Sequence, residues 1–221
     1  MCRFLLVKSL EPIEVGKLLT KFAYVAKNSR TTEGDWQGDG WGVSWLRDDG
    51  EWKLHKSLNP IWEEVAIVNR VPETRVALIH ARSASFERDK GKLEYNQPYI
   101  AGKLAYVFNG LLKGVKLNEK VEGDIGAQKI FSLIRKMSDG GGLSGRMASV
   151  YKLLKNNSIA IKGFNIGLAD ASNLYALSDY MDHPEYFNLR YFESLNLKMI
   201  CSEEFGDFEW KLVKKGRVIK L

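Results

Sequence analysis

The second residue of the chain, Cys2, is the first candidate for chemistry, because it directly follows the initiator methionine. Removal of Met1 leaves a thiol and a free α-amine on the same residue. An α-amine has an ordinary pKa of about 8, so part of it is a free base at neutral pH. Base and nucleophile then come from one residue, which is the self-activating arrangement of an N-terminal nucleophile. The alternative is that Cys2 is a small buried hydrophobe that opens a strand.

A second candidate segment is HARSAS at residues 80–85, where a buried strand is expected to end. Arg82 at that point can hold a carboxylate through two parallel hydrogen bonds. Taken alone, the segment slightly favours a structural ion pair for Arg82 and a core position for His80. The glycine-rich stretch GDGWG at residues 38–42 permits a tight turn and close backbone approach, or it simply leads into the hairpin that follows.

Two further dipeptides each have a structural and a chemical interpretation. Asn109-Gly110 follows an apolar strand and is a common hairpin turn. Alternatively, the Asn109 amide and the Gly110 N–H donate to a developing oxyanion, where the loss of one donor typically costs about 10²–10³ in rate. Gly123-Asp124 precedes a helix, so Asp124 is either a helix cap or an acceptor for a substrate ammonium group.

Composition narrows the class of protein. The chain has 221 residues, of which 45% are hydrophobic, and a formal net charge of +6. No stretch resembles a signal peptide or is long enough to span a bilayer, so we expect a cytoplasmic protein with no membrane partner. Only two cysteines are present, which excludes a disulfide framework. The basic residues are dispersed rather than gathered into a face, which argues against nucleic-acid binding.

Hydrophobic periodicity predicts strands first, helices in the middle and strands last. Pro12 is expected in the first turn of a helix over residues 12–26, and Asp48-Asp49-Gly50 predicts a hairpin. Lys215-Gly216 predicts a terminal hairpin over residues 211–220. The other predicted strands cover residues 2–7, 75–80, 104–108, 158–161, 164–169, 174–178 and 198–202, and the other helices cover 124–137 and 143–154. This order indicates an α+β domain of antiparallel sheets covered by helices.

The order of the candidate motifs resembles the class II glutamine amidotransferases, which are N-terminal-nucleophile (Ntn) hydrolases. The shared pattern is a leading Met-Cys-Arg, an Asp-Gly-Trp-Gly loop, an arginine after a buried strand, an Asn-Gln-Pro loop, an Asn-Gly pair and an aspartate at a helix start. It covers about residues 2–135 and continues more faintly through residues 164–168 and 201–203. The resemblance implies a four-layer αββα sandwich and a single glutamine amidotransferase type-2 domain over residues 1–221.

The resemblance also implies a role for each matched residue. Cys2 would be the nucleophile with its own α-amine as base, and Asn109 with Gly110 would form the oxyanion hole. Arg82 would bind the substrate carboxylate, with Ser85 also on the substrate-binding side, and Asp124 would bind the ammonium group. The chain departs from the pattern at three places beside the pocket, which leaves the substrate open: Gln97 stands where a histidine is common, Phe86-Glu87 where His-Gly is common, and Ile125-Gly126 where Thr-Glu is common.

The expected activity is hydrolysis of glutamine to glutamate and ammonia through a Cys2 thioester. The chemistry requires no metal or cofactor, and a separate synthetase partner is one candidate acceptor for the ammonia. One alternative is hydrolysis of γ-glutamyl compounds on the same fold. A second is a catalytically silent binding module, which retention of Met1 would favour because it blocks the base.

Overall fold

The computed structural model describes residues 1–29, 35–138 and 141–221. The strands are β1 (Arg3–Ile13), β2 (Trp41–Leu46), β3 (Trp52–Ser57), β4 (Thr74–Ala81), β5 (Tyr99–Ala101), β6 (Leu104–Lys113), β7 (Ala160–Ala169), β8 (Leu174–Tyr180), β9 (Arg190–Glu193), β10 (Leu197–Cys201), β11 (Lys211–Leu212) and β12 (Val218–Lys220). The α-helices are α1 (Val15–Lys27), α2 (Val65–Val68), α3 (Gly126–Lys136), α4 (Gly142–Asn156) and α5 (Pro184–Phe187). Short 3₁₀ turns cover Ile61–Glu63, Glu87–Asp89 and Leu93–Tyr95.

The strands form two antiparallel sheets. The seven-stranded sheet has the order β11-β9-β10-β1-β4-β2-β3, and the five-stranded sheet has the order β12-β8-β7-β6-β5. In the first sheet β1 lies between β10 and β4, with Leu5 opposite both Cys201 and Ile79. Side chains of β1 alternate between the two sheet faces, and both faces are covered, which is why Phe4, Leu5, Leu6 and Val7 are all buried.

Three apolar cores separate four layers. The first core lies between α1 and the seven-stranded sheet and includes Leu5, Leu19, Phe22, Val43 and Ile79. The second lies between the two sheets and includes Phe4, Leu6, Leu78, Val107 and Ala176. The third lies between the five-stranded sheet and the helices α3 and α4, and includes Ile130, Leu154, Phe164 and Leu177. The predicted α+β class and αββα sandwich are therefore confirmed. No helix in the described part of the chain is long and apolar enough to cross a membrane.

The structure corrects the prediction that Pro12 begins the first helix. Pro12 lies in β1, which continues to Ile13, and α1 begins only at Val15. The pairing of β1 with β4 is irregular between Lys8 and Ile13. Proline donates no ladder hydrogen bond, so such an irregular strand end accommodates it.

The predicted hairpin at Lys215-Gly216 is also wrong. Strand β11 pairs with β9 in the larger sheet, whereas β12 pairs with β8 in the smaller one. Between them the buried Val213 donates its N–H to the Leu189 carbonyl at 2.8 Å, and Gly216 donates to the Ser178 carbonyl at 2.7 Å. Hydrogen bonds to residues distant in sequence therefore direct residues 211–220 from the larger sheet to the smaller one.

The strands predicted over residues 158–161 and 164–169 form one strand, β7. Gly163 lies within it, against the ring of Phe187. The pairing of β6 with β7 shifts register between Leu111 and Leu112, opposite Gly163. An irregularity of this type bends a strand without ending it.

Candidate active site

The Cys2 thiol lies immediately before β1 and is partly buried. Its Sγ is 3.5 Å from the carbonyl oxygen of Ser83. Burial raises the pKa of this thiol, while the positive charges of the chain terminus and of Arg82 lower it and only partly compensate. A thiol in this environment is protonated at neutral pH, so it needs a base to become a nucleophile.

Two acidic groups hold the start of the chain. The α-amine of Met1 forms an ion pair with the Asp35 carboxylate, which also accepts a 2.6 Å hydrogen bond from the Tyr186 hydroxyl. The buried Arg3 donates to Glu203 at 2.6 Å and lies 4.3 Å from the Tyr186 ring centroid. Residues on both sides of Cys2 are therefore fixed by charge-assisted bonds.

The glycine-rich loop and the end of β4 support each other. Arg82 donates its backbone N–H to the Gly40 carbonyl at 2.8 Å and accepts from the Asp39 N–H at 3.0 Å. The Asp39 carboxylate then accepts from the Ala84 N–H at 2.8 Å. Gly40 has φ of +108°, and a Cβ there would collide with the Asn96 side chain, so glycine is required at that position.

The Arg82 side chain is almost fully buried and faces a cavity. Its guanidinium donates to the Asp89 carbonyl at 2.6 Å and to the Asn96 amide oxygen at 3.4 Å. Within the described residues both partners are neutral oxygens, so the positive charge remains available to an anionic ligand.

Asn109 and Gly110 lie inside β6 and do not form a turn, because the strand continues to Lys113. Asn109 pairs with Asn165 across the ladder, and Gly110 pairs with Phe164. Asn109 is 1% exposed, and neither polar atom of its side-chain amide has a hydrogen-bond partner among the described residues. Buried polar groups are normally paired, so this amide is suited to a ligand.

Gln97 is a site residue that the sequence analysis did not assign a role. Its amide oxygen accepts from the Phe108 N–H at 2.6 Å, and its amide nitrogen donates to the Phe108 carbonyl at 3.1 Å. The backbone carbonyl of Gln97 lies so close to Gly42 that a Cβ there would clash with it. The glycine of the Trp-Gly motif therefore allows the Gln97 backbone to pack against β2. Gln97 thus fixes the backbone next to Asn109. The sequence feature that could have indicated this role is the position of an amide residue shortly before the strand that carries the Asn-Gly pair.

One cavity of about 290 Å³ is lined by Cys2, Arg82, Ser85, Asn109 and Gly110. Residues predicted from separate motifs thus share one cavity, with Ser85 exposed at its edge. Asp124 is exposed and does not line it, whereas the neighbouring Ile125 does. Gln128 accepts from the backbone N–H of both Asp124 and Ile125, at 2.8 and 3.3 Å. Ile125 is the N-cap of α3, so the predicted cap at Asp124 is displaced by one residue.

Much of the cavity lining is apolar. It extends from the end of β6 along the following loop to α3 and α4, with walls that include Leu111, Leu117, Val121, Ile125, Ile130 and Leu133. In the described part of the chain, no group of histidine, cysteine and acidic side chains is arranged to hold a metal ion. The arrangement offers a thiol, a cation and an amide donor at one end of an apolar cavity.

No protein-family model and no curated protein matches the sequence of this chain. Solved structures match its fold. A glutamine aminotransferase class-II domain protein from Silicibacter pomeroyi is 17% identical with a TM-score of 0.67, covering 99% of this chain and 94% of that one. A predicted glutamine amidotransferase from Pseudomonas aeruginosa PA01 is 13% identical with a TM-score of 0.57, covering 99% and 96%.

The third similar structure is glutamine phosphoribosylpyrophosphate amidotransferase from B. subtilis, complexed with ADP and GMP. It is 15% identical with a TM-score of 0.68, and the match covers 99% of this chain and 47% of that one. The present chain therefore spans about half the length of that enzyme. Similarity at these identities establishes the fold, and it confirms at that level the resemblance seen in the motifs.

Proposed function

The chain has the fold of class II glutamine amidotransferase domains, and on that premise we propose that it hydrolyses the side-chain amide of glutamine or a glutamine derivative. One observation carries the proposal: Cys2, Arg82, Asn109 and Gly110, which come from separate parts of the sequence, line the same cavity. They supply a nucleophile, a carboxylate anchor and an oxyanion hole, and the α-amine of a processed Cys2 adds the base that acyl transfer requires.

The reaction begins once Met1 has been removed. The α-amine of Cys2 takes the thiol proton, and the thiolate attacks the amide carbon. The Asn109 amide and the Gly110 N–H stabilise the oxyanion, which is usually the largest electrostatic contribution in such a site. The nitrogen leaves as ammonia with the proton from the amine, and water then cleaves the thioester to release the acid.

Substrate orientation comes from Arg82. Its buried guanidinium binds the substrate carboxylate and positions the amide near the thiol. The predicted contact of Asp124 with a substrate ammonium group stays a prediction. The Asp124 side chain is exposed and does not line the cavity. In this proposal, ammonia is either released or passed to a separate acceptor protein.

A second candidate function is a binding module without catalysis. The supporting observation is that Met1 itself lines the cavity and its α-amine is bound by Asp35. A chain that keeps this residue has no free amine on Cys2 and therefore no base.

Labelling with a diazoketone analogue of glutamine, followed by peptide mapping and intact mass, tests the proposal. We expect an active protein that has lost Met1 and carries the label on Cys2. A protein that turns over glutamine while it retains Met1 would contradict the mechanism. A protein that retains Met1, takes no label and releases no ammonia would support the binding module.

A further inference from the structure

The charges that line the cavity favour a substrate without a free ammonium group. Among the described residues, the charged side chains that line it are Arg82, Lys129 and Asp89, two cations and one anion. Asp89 lies next to Arg82, the residue proposed to bind the substrate carboxylate, because the Asp89 carbonyl accepts a 2.6 Å hydrogen bond from the Arg82 guanidinium. At the start of α3, the acidic Asp124 is exposed and Ile125 forms the wall. An ammonium group placed against that wall would lose its hydration without gaining a partner.

The apolar walls indicate what lies there instead. Leu117, Val121 and Ile125 are partly buried residues that pack against the core beneath α3 and α4 while also lining the cavity. The volume of 290 Å³ is close to the lower end of the range of about 300–1,000 Å³ that is typical for drug-sized ligands. An apolar surface of this kind gains free energy by burying hydrocarbon.

We propose that the substrate is a glutamine whose α-nitrogen carries an acyl group, and that the acyl chain occupies the apolar part of the cavity. The inference rests on the function proposed above and specifies its substrate class. Acylation converts the ammonium into a neutral amide, which removes the need for an acidic partner. The α-carboxylate remains and binds Arg82.

The reaction balances as a simple hydrolysis. The Cys2 sulfur forms a bond to the side-chain carbonyl carbon, and the C–N bond of the primary amide breaks with the proton transferred to nitrogen. Water then breaks the C–S bond. The products are N-acylglutamate and ammonia, and the acyl group on the α-nitrogen is unchanged.

A chain-length series is the direct experiment. Ammonia release by the mature enzyme is measured with glutamine, N-acetylglutamine, N-butyrylglutamine and N-hexanoylglutamine. The comparison compound is γ-glutamyl butylamide, which carries its alkyl chain on the side-chain amide nitrogen and is assayed by glutamate release. We expect kcat/KM to rise by roughly fourfold per buried methylene until the cavity is full. A flat series, or a preference for γ-glutamyl butylamide, would overturn the inference.

Ile125→Asp tests the wall beside Asp124. Aspartate is a favourable N-cap, so the substitution suits the first residue before α3 while it adds a carboxylate to the cavity. The ratio of kcat/KM for N-hexanoylglutamine to that for glutamine is expected to fall at least tenfold. An unchanged ratio would mean that this wall does not contact the α-nitrogen substituent.

Leu117→Asn tests the apolar surface, with Leu143→Asn as the matched control. Leu143 is partly buried against the same core but does not line the cavity. Leu117→Asn is expected to flatten the chain-length series, whereas Leu143→Asn keeps it. Equal flattening by both would show a general loss of structure and remove this support.

The chain-length series separates the proposed amide hydrolysis from the proposed N-acyl substrate. If no compound in the series releases ammonia or glutamate in a Cys2-dependent way, the proposed function itself is wrong. If glutamine is hydrolysed in a Cys2-dependent way and acylation gives no gain, only the substrate class is wrong.

Discussion

At the scale of single residues, the two cysteines show how environment decides reactivity. Cys201 is fully buried in the core beneath α1, and burial raises its thiol pKa well above the ordinary value. Cys2 is also desolvated, but it lies at the cavity beside the chain terminus and Arg82. Of the two cysteines, only Cys2 lines the cavity, and in the proposed mechanism removal of Met1 gives it a base on its own residue.

Replacement of each cysteine should therefore separate catalysis from packing. Cys2→Ala is expected to abolish amide hydrolysis, because the nucleophile is lost. Cys201→Ala is expected to keep most of the activity and to lower stability by about 1 kcal/mol, as a small core truncation does. Ammonia release and thermal unfolding measure both. Equal loss of activity in two folded variants would remove Cys2 from its assigned role.

Arg82→Lys tests the carboxylate anchor. A lysine supplies a point charge in place of a two-pronged donor, so KM should rise roughly tenfold while kcat changes little. Arg88→Lys is the matched control, since Arg88 is exposed and does not line the cavity. Steady-state kinetics of both variants measure KM and kcat. An unaltered KM for Arg82→Lys would assign that residue a structural role.

At the scale of elements, β6 positions Asn109 and Gly110, the pair proposed to form the oxyanion hole. The strand runs through Asn109-Gly110, and a Cβ on Gly110 would collide with the Gly163 carbonyl of β7. Gln97 binds both backbone polar groups of Phe108, the residue before Asn109. The placement of the Asn109 amide therefore depends on the β6–β7 ladder and on a loop packed over β2.

Gln97→Leu should disturb that placement. Two buried backbone groups would lose their Gln97 partners, at about 1–3 kcal/mol each, so we expect the free energy of unfolding to fall by about 2–6 kcal/mol. We also expect kcat to fall at least tenfold with a smaller change in KM. Denaturant unfolding and kinetics are the measurements.

The matched control for that experiment is Gln128→Leu. Gln128 accepts hydrogen bonds at the start of α3 but does not line the cavity. Loss of this cap should cost about 1 kcal/mol and spare kcat. If Gln97→Leu lowers stability and leaves kcat intact, Gln97 serves the fold alone.

At the scale of the whole molecule, the two sheets enclose an ionisable group. His80 on β4 is fully buried, and it lies opposite Phe4 and Gly42 in the neighbouring strands. Burial lowers the pKa of His80 to about 3, and the charge of Arg82 acts in the same direction. The folded protein therefore keeps this ring neutral at pH values where the unfolded chain protonates it.

This difference predicts acid sensitivity. Between the unfolded pKa of about 6.5 and the folded value of about 3, the unfolded state binds more protons. Stability should therefore fall as pH falls through that window, with a slope of up to about 1.4 kcal/mol per pH unit. His80→Asn should reduce this slope, measured by denaturant unfolding at pH 7 and pH 4.5.

His183→Asn is the control for the acid experiment. His183 is exposed and has φ of 59°, a conformation that asparagine tolerates. Its replacement is expected to leave the slope as in the unsubstituted protein. Identical slopes for all three proteins would show that His80 does not govern the acid response.

The sequence by itself determined the chemical groups and most of the elements. A leading cysteine, an arginine after a buried strand and an Asn-Gly pair are local patterns, and so is the apolar periodicity that predicts strands and helices. The αββα sandwich was implied by the resemblance of the motif order to the class II amidotransferases, whereas the periodicity by itself indicated only an α+β domain of antiparallel sheets. None of these inferences required knowledge of which strands pair.

Only the tertiary structure decided where the groups face. Asn109-Gly110 continues a strand because β7 pairs with it, and residues 211–220 divide between two sheets because Leu189 and Ser178 hold them. Asp124 is exposed while its neighbour Ile125 lines the cavity. Adjacent residues share a local sequence signal, but long-range pairing and packing select which of them reaches the ligand.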